Sequence, residues 1–389
     1  RPKRTIIRDP PAAAKPDERI TAADRQRRFA AWHAVTTPDT LHRFCLPGCS
    51  GGGTEPRLSL WMVRGKRCDT AAWRWDGTMS DGCPVQPASS CPADTRRDAA
   101  MIVVTGSNGQ LGGEICRRLG DAALGLDLPD FDLTDPAQVR DRLSALRPEA
   151  IIHAAAYTAV DRAEEEPDRC FAVNAEGTGV LTEAAQRLDC PLVYISTDYV
   201  FGISRPDAEP HREEDPVCPQ GVYARSKYEG ELRALAWQKH YIVRTCGLYG
   251  RLGPNSPGNF VETMIRLGTQ GRPLRVVDDQ WCTPSYVPHV AAAVIYLLRN
   301  GMYGTFHVVN GGATTWYRFA CEIFRLLGFD ADIQPITTAE YGAKAPRPAF
   351  SVLDTSKYHR FSDAPPLPHW RDALAEYLRE RAHGNPAAG

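Results

Sequence analysis

The sequence predicts an α/β protein built on a doubly wound parallel sheet with helices on both faces. Two observations support this: short apolar strands alternate with longer helical segments, and a glycine-rich turn follows the first strand. Hydrophobic residues make up 43% of the 389 residues, as expected of a globular protein with a core. The formal net charge of −1 disfavours electrostatic binding to nucleic acid or to a membrane surface. No apolar run approaches the ~20 residues that a membrane-spanning helix needs. We therefore expect neither nucleic acid nor membrane as a partner.

Residues 1–100 differ in character from the rest. They contain 17 Lys+Arg against 11 Asp+Glu, one segment of helical periodicity at 20–35 and no convincing strand. Their cysteines lack the CxxC spacing of zinc ribbons, which disfavours a metal site; they are Cys45, Cys49, Cys68, Cys83 and Cys91. We expect an N-terminal extension that is poorly ordered or not native, with Met101 as the natural start. A small partner-binding domain is the alternative.

A glycine-rich turn follows the first strand. The strand MIVVT runs into Gly106-Ser-Asn-Gly109-Gln-Leu-Gly112, which opens a helix. Strand, glycine turn and helix are the context of a dinucleotide fingerprint in a Rossmann-type fold, although the spacing here is GxxGxxG. Gly106 allows the tight turn, Gly109 lets the backbone approach a pyrophosphate, and Gly112 lets helix and strand pack closely. The pattern predicts NADH or NADPH with its pyrophosphate at the helix N-terminus.

The second predicted strand, AALGLD, ends in Asp127, 21 residues after Gly106. An acid at this spacing accepts hydrogen bonds from the adenosine ribose. Its charge would repel a 2′-phosphate, which favours NADH, although Arg117 and Arg118 on the helix after the turn weaken that preference. The expected cofactor site comprises Gly106, Asn108, Gly109, Gln110, Leu111, Gly112, Asp127, Asp132, Leu133, Ala154, Ala155 and Ala156.

The alternation of strands and helices continues to residue 197. A helix is predicted to begin at Asp135-Pro136, the strand AIIHAAA ends in small alanines against which a cofactor fits, and PLVYIST is a further buried strand. His153 fits a strand-end residue better than a catalyst. The run Glu164-Glu165-Glu166 fits a solvated helix face.

A candidate catalytic group lies at 197–227. Tyr223 and Lys227 stand in Tyr-Ala-Arg-Ser-Lys, at i and i+4, which puts both on one face of a helix. An ammonium there would lower the pKa of the phenol from ~10 and make it an acid–base catalyst. Thr197 ends the strand PLVYIST, at the sheet edge where ligands bind. We expect Thr197, Tyr223 and Lys227 to be catalytic, with Thr197 hydrogen-bonding the oxygen that Tyr223 protonates.

These motifs, in this order, resemble the extended branch of the short-chain dehydrogenase/reductases. A closer resemblance, to the dTDP-4-dehydrorhamnose reductase family, covers nearly all of 101–380 and rests on AAAYTAVDRAEEEPD, VNAEGT, STDYVFG, VYARSKYEGE, DDQWCTPSYV and RPAFSVLDTSK. It implies an oxidoreductase that uses NAD(P)H to reduce the C4 keto group of dTDP-4-dehydro-6-deoxy-L-mannose, giving dTDP-L-rhamnose. It also implies that Tyr223 protonates the C4 oxygen, that Lys227 binds the nicotinamide ribose and tunes Tyr223, and that Thr197 hydrogen-bonds the keto group.

The resemblance also suggests substrate residues, with one departure. Asp198 matches a position beside the sugar. Asn259 and Arg347 are expected near the sugar nucleotide, where the guanidinium suits a pyrophosphate and a surface ion pair is the alternative. Gly247 stands where the family usually has Trp, so we expect the pocket to lack one apolar wall and to be enlarged. The identity of the sugar is therefore less well defined than the reaction class. Glu114 matches one ligand of a Mg²⁺ that some members bind at a subunit contact, which leaves Mg²⁺ undecided.

We expect a cofactor-binding core at 101–250, which includes the YxxxK motif, and a smaller, mainly substrate-binding α/β lobe at 251–389 with segments that return to the core. Scattered single cysteines suit a reducing cytoplasm, and a homodimer is an open expectation. Two other functions stay open. One is a non-catalytic regulatory subunit resembling the methionine adenosyltransferase β subunit, and the other is an extended dehydrogenase/reductase acting on another nucleotide sugar. The intact catalytic residues favour the reductase.

Overall fold

The computed structural model describes residues 101–202, 209–254, 256 and 258–383. The expectations for residues 1–100 lie outside the described residues. Among the helices of the described part, none is long and apolar enough to cross a membrane.

Strands and helices alternate along the described chain. The strands are β1 Ile102–Thr105, β2 Ala123–Leu126, β3 Ala150–His153, β4 Leu192–Thr197, β5 His240–Thr245, β6 Leu248–Tyr249, β7 Leu274–Val277, β8 Trp281–Cys282, β9 Ser285–Tyr286, β10 Gly304–His307, β11 Thr314–Thr315 and β12 Ile333–Ile336. The α-helices are α1 Gln110–Leu119, α2 Pro136–Leu146, α3 Val160–Ala163, α4 Pro167–Phe171, α5 Gly177–Leu188, α6 Gly221–Leu235, α7 Phe260–Gly268, α8 Val287–Arg299, α9 Trp316–Leu327, α10 Thr338–Tyr341, α11 Ser356–His359 and α12 Trp370–Ala382. A π-helical turn, Ala172–Glu176, joins α4 to α5.

The central sheet is parallel, with its six strands in the order β10-β5-β4-β3-β1-β2. Crossover connections between parallel strands are right-handed. The helix that connects β1 to β2 therefore lies on one face of the sheet, and the helices of connections that run in the opposite direction lie on the other face. Accordingly α2, α5 and α6 pack together in one layer, and α1 packs against α8 in the other. The predicted doubly wound, Rossmann-type architecture is confirmed. The strand order reverses at β1 and β3, and the carboxyl ends of the strands at such a reversal form a ligand crevice.

The core of this sheet follows from strands that are apolar on both faces. Every residue of β1 and β3 is buried, as expected for central strands covered by two helix layers. Val139 and Leu143, one helical turn apart on α2, pack with Leu181 of α5 against Ile151. Each such side chain contributes about 1.5–3 kcal/mol through removal from water.

Two helix starts show local rules at work. Asp135 caps α2 as predicted, because its Oδ1 accepts hydrogen bonds from the amides of Ala137 and Gln138 at 3.0 Å each. The start of α6 has no side-chain cap of its own, and Glu164 Oε1 accepts from the Val222 amide at 2.7 Å. The expectation of a solvated Glu164 is therefore wrong, since its carboxylate satisfies a helix terminus.

The C-terminal residues build a second, smaller core. Short strand pairs β6–β9, β7–β12 and β8–β11 accompany α7, α9 and α12. Their buried aromatic side chains, among them Tyr249, Phe319, Trp370 and Tyr377, form one cluster. β10 leaves this part and pairs with β5 in the central sheet.

Candidate active site

A cavity of about 640 Å³ opens at the carboxyl ends of the central strands. Thr105 ends β1 and Gly106 follows it, Asp127 follows β2, and Thr197 ends β4. All four residues line the cavity. The C-terminal lobe closes the other side, and its lining residues include Gln280, Trp281, Cys282, Trp316, Pro348 and Ser351. The cavity therefore combines the glycine turn, the predicted catalytic residues and the smaller lobe.

The glycine turn has the geometry of a phosphate cradle. Gly106 has φ +73°, and a Cβ there would lie 2.5 Å from the Ala155 amide nitrogen. A Cβ on Gly112 would collide with the carbonyl oxygen of Gly106. Gly109 precedes α1 without any side-chain cap, so the first amides of α1 stay available to an anionic ligand. These features fit a dinucleotide pyrophosphate.

Asp127 is fixed next to this turn. Its Oδ2 accepts from the Asn108 amide at 2.8 Å, and its Oδ1 accepts from the Leu128 amide at 2.9 Å. Asn108 is not among the cavity-lining residues, and its backbone positions Asp127 instead. The remaining expected cofactor residues do line the cavity: Gln110, Leu111, Asp132, Leu133, Ala154, Ala155 and Ala156.

The two arginines of α1 are occupied. Arg117 donates to Glu114 at 2.8 and 2.6 Å, and Arg118 donates to it at 2.6 Å. Glu114 is likewise neutralised by two cations, and the described residues contain no cluster of three or more His, Cys, Asp or Glu able to hold a metal ion.

Tyr223 and Thr197 both line the cavity, and their side chains lie next to each other. Burial raises the pKa of Tyr223 above its ordinary value, and a hydrogen bond with Thr197 opposes this rise. Thr197 Oγ1 also donates to Asp198 Oδ1 at 3.1 Å and accepts from the Tyr199 amide at 3.2 Å. The hydroxyl at the end of β4 is thus placed by its own backbone turn.

Lys227 is buried and tied to the sheet. Its Nζ donates to the Ile195 carbonyl at 2.7 Å and lies 4.2 Å from the centre of the Tyr194 ring. Burial lowers the pKa of Lys227 to about 7, which the charge of Glu231 partly opposes. The expectation that Lys227 lowers the pKa of Tyr223 is not met in this arrangement, because burial dominates the phenol and the ammonium is directed at a carbonyl.

His153 is a structural residue of β3. Its Nδ1 lies 2.8 Å from Thr105 Oγ1 and its Nε2 lies 3.1 Å from Thr178 Oγ1. Burial lowers its pKa to about 3, with the charge of Lys227 adding to the effect. Both nitrogens are used by threonine hydroxyls, in line with the strand-end interpretation.

Asn259 and Arg347 do not line the cavity themselves, but their chain neighbours Gly258 and Pro348 do. Asn259 caps α7, since its Oδ1 accepts from the Glu262 amide at 3.0 Å while Nδ2 donates to Gln110 Oε1 at 3.0 Å. Arg347 makes a two-pronged ion pair with Asp161 at 3.0 and 2.8 Å, which is the alternative that the sequence left open.

The aromatic wall expected to be lost at Gly247 is supplied from another element. Gly247 has φ +52°, and a Cβ there would lie 3.0 Å from Cη2 of the Trp316 ring. Trp316 begins α9, lines the cavity and packs 4.8 Å, centre to centre, from Phe260. The indole of Trp316 thus occupies the space beside Gly247, and the expected enlargement does not follow.

Two further features were not predicted. Cys246 and Cys282, far apart in sequence, are both buried in the cavity wall and share a hydrogen bond that, with burial, raises the pKa of Cys246. Glu231, Arg244 and Ser196 form a buried polar network behind the catalytic residues. A long-range pairing of this kind leaves no periodic signal in the sequence.

Comparison with known proteins gives a consistent result. A family model described as the RmlD substrate binding domain matches residues 100–383. The spore coat polysaccharide biosynthesis protein SpsK of Bacillus subtilis is 39% identical over 285 residues, covering 72% of this chain and 98% of that protein. A dTDP-4-dehydrorhamnose reductase of Streptomyces griseus is 40% identical over 285 residues, covering 70% and 91%.

A solved structure shares the fold. It is the dTDP-4-dehydrorhamnose reductase of Bacillus anthracis in complex with NADP, with a TM-score of 0.68, 37% identity, and coverage of 72% of this chain and 99% of that one. The family model spans most of the chain, and the relatives align over nearly their whole length. With the glycine turn, Thr197, Tyr223 and Lys227 around one cavity, the chain belongs to the dTDP-4-dehydrorhamnose reductase family.

Proposed function

We propose that the protein reduces the C4 keto group of dTDP-4-dehydro-6-deoxy-L-mannose (dTDP-4-dehydrorhamnose) to dTDP-L-rhamnose, with NADH or NADPH as reductant. The observation that carries the proposal is the meeting of Thr197, Tyr223 and Lys227 with the glycine turn around one cavity. The names of the Streptomyces griseus and Bacillus anthracis relatives support the substrate, and the NADP of the latter supports the cofactor.

The nicotinamide cofactor, when bound, supplies the hydride. Tyr223 donates its phenolic proton to the C4 oxygen, and the raised pKa keeps that proton on the phenol at neutral pH. Thr197 Oγ1 orients the carbonyl by a hydrogen bond. Lys227, with a pKa of about 7, brings a partly protonated amine to the site, where it would donate a hydrogen bond to the nicotinamide ribose of a bound cofactor.

The binding roles follow the lining of the cavity. The first amides of α1, after Gly109, bind the pyrophosphate, and Asp127 accepts from the adenosine ribose. Ala154, Ala155 and Ala156 give the cofactor a surface without bulky side chains. Asp198, buried beside Thr197, contacts the sugar.

The direct test is loss of nicotinamide absorbance with the full chain and freshly generated dTDP-4-dehydrorhamnose. Sugar-dependent oxidation of NADH or NADPH, with dTDP-L-rhamnose as product, supports the proposal. Cofactor that binds tightly and is never oxidised would favour the regulatory-subunit alternative. Oxidation with a different dTDP-4-keto sugar would keep the reaction class and replace the substrate.

We also propose a cytoplasmic homodimer. The cytoplasm is suggested by unpaired thiols, since the seven cysteines of the described residues are free. Leu232 and Leu235 on α6 are 43% and 47% exposed, which gives a second copy an apolar surface to cover. Light scattering of the purified chain tests the dimer, and a monomeric mass at micromolar concentration would contradict it.

A further inference from the structure

Four buried side-chain atoms of the described residues lack a hydrogen-bond partner: Asp198 Oδ2, Thr245 Oγ1, Tyr249 OH and Trp370 Nε1. Burying a polar group without a partner is costly, so each such atom in a folded protein calls for an explanation. Asp198 and Thr245 both line the cavity, whereas Tyr249 and Trp370 do not. The Cys246 thiol and the Ser351 hydroxyl also approach the Asp198 carboxylate, whereas the Thr245 hydroxyl has no partner, so Thr245 is the stronger candidate for a contact with a ligand.

These two atoms lie on adjacent strand ends. Thr197 of β4 is the register partner of Thr245 of β5, and Asp198 follows Thr197 directly. Neighbouring strands are about 4.8 Å apart, so the Thr245 hydroxyl lies one strand away from the residue that orients the carbonyl. Thr245 is 5% exposed and Asp198 is 2% exposed. Little bulk water reaches either atom.

The chemistry of the pair suits a ligand group that both donates and accepts. A carboxylate oxygen accepts hydrogen bonds, and a threonine hydroxyl can donate one. A sugar hydroxyl meets this requirement, since it can donate to Asp198 and accept from Thr245 at the same time. In a 4-keto-6-deoxyhexose the carbon next to the carbonyl on the C3 side carries such a hydroxyl, while C5 carries the methyl group and the ring oxygen.

We propose that Thr245 is a specificity residue that, with Asp198, binds the sugar hydroxyl on the carbon adjacent to the reduced carbonyl. This rests on the proposed function. A site with a buried hydroxyl rejects an analogue that leaves it unpaired more strongly than an apolar pocket rejects a missing methylene. Thr245 thus selects for the 3-hydroxy sugar over its 3-deoxy analogue.

The test is Thr245→Val, which replaces the hydroxyl by a methyl of similar shape. In the wild type we expect kcat/KM to be ~10⁴–10⁵-fold higher for dTDP-4-dehydrorhamnose than for its 3-deoxy analogue. In Thr245→Val the ratio should fall by about tenfold or more, with the remaining preference due to Asp198, while the Kd of the cofactor is unchanged. Because Thr245 Oγ1 has no partner, the melting temperature of the ligand-free variant should not fall. Thr245→Ser, which keeps the hydroxyl, should restore selectivity.

A matched control is Thr182→Val on α5. Thr182 is also buried, but its hydroxyl donates to the Thr178 carbonyl at 2.8 Å. Its loss should lower the melting temperature and leave the sugar selectivity intact. Unchanged selectivity in Thr245→Val would overturn the proposal.

Binding separates this proposal from the proposed function. Calorimetric titration with dTDP-L-rhamnose and its 3-deoxy analogue measures the same preference without turnover. A wild type that reduces no sugar but shows the preference, with a weaker preference in Thr245→Val, would refute the reductase and keep the specificity residue. A wild type that binds both ligands equally would refute the specificity residue.

Discussion

Arg244 and Glu231 form a two-pronged ion pair in the interior, with Nε and Nη2 of Arg244 donating to the carboxylate at 2.9 and 2.8 Å. Ser196 Oγ donates to the same carboxylate at 2.5 Å. The pair lies behind the active site, because Ser196 and Arg244 directly precede Thr197 and Thr245 while Glu231 is one helical turn after Lys227. One carboxylate thus fixes β4, β5 and the catalytic helix to each other.

Glu231→Gln should destabilise the fold by about 3–5 kcal/mol, because it leaves the Arg244 guanidinium buried without a counter-charge. Urea unfolding of the full chain measures the loss. The matched control is Glu183→Gln, whose partner Arg187 is 60% exposed and whose loss should be nearly neutral. Similar unfolding midpoints for wild type and Glu231→Gln would contradict the assignment of this pair as a structural tie.

Tyr223→Phe should lower kcat by ~10²–10⁴-fold, the usual effect of losing a general acid. The ring stays in place, so the Kd of NADH or NADPH should change little. Stopped-flow turnover with fluorescence titration of the cofactor separates the two effects. A kcat equal to that of the wild type would show that Tyr223 is not the general acid.

Asp127→Ala should move the cofactor preference toward NADPH by roughly tenfold, since it removes a carboxylate that would face the 2′-phosphate. Arg117 and Arg118 remain paired with Glu114 in this variant and add no new attraction. The ratio of the Kd values for NADPH and NADH is the measurement. Asp130→Ala, on an exposed position outside the cavity, is the control, and an equal shift there would point to bulk charge instead.

Trp316→Ala should raise the KM of the sugar nucleotide ~3–10-fold, because it removes the aromatic surface beside Gly247. The cofactor Kd should stay the same, since the glycine turn and Asp127 lie on other elements. Trp237→Ala deletes an indole that donates to the Cys190 carbonyl away from the cavity and serves as the control. A pure loss of kcat in Trp316→Ala, with KM unchanged, would argue against a wall for the sugar.

Stability should fall as the pH drops from about 6.5 to about 3, because His153 and His307 both have folded-state pKa values of about 3. In this pH window the histidines bind protons in the unfolded chain but stay neutral in the folded protein. Each histidine therefore lowers the equilibrium constant for folding roughly tenfold per unit fall in pH. Above pH ~6.5 both states are neutral and the effect vanishes. His153→Gln should reduce the slope of unfolding free energy against pH, and adding His307→Gln should reduce it again. An unaltered slope in the double variant would show that other groups control acid unfolding.

The sequence was most informative where function depends on neighbouring residues. The glycine turn, the acid after β2 and the Tyr-x-x-x-Lys spacing are local patterns, and each predicts a geometry within one strand, turn or helix. The cap of α2 at Asp135 is of the same kind. The doubly wound sheet followed because the alternation of strands and helices limits the topology.

What escaped the sequence were contacts between distant segments. Trp316 lies beside Gly247, Glu231 pairs with Arg244, and Glu164 caps a helix that begins at Gly221, and no periodicity links the members of these pairs. Asn259 was a missed local signal, because Asn followed by Glu262 at the third helical position is typical of a helix start. The pKa of Tyr223 depended on burial, which a two-residue motif does not contain.

The position of β10 has a consequence for biosynthesis. Gly304–His307 completes the sheet at β5, yet it leaves the ribosome only after the whole stretch from β6 to α8 has been made. Until then β5 is an uncovered edge strand, with free backbone groups that can pair with other nascent chains. The central sheet therefore cannot gain its sixth strand before part of the smaller lobe has been synthesised. A chain interrupted ahead of Gly304 would leave β5, the strand that carries Arg244 and Thr245, exposed at the edge of the sheet.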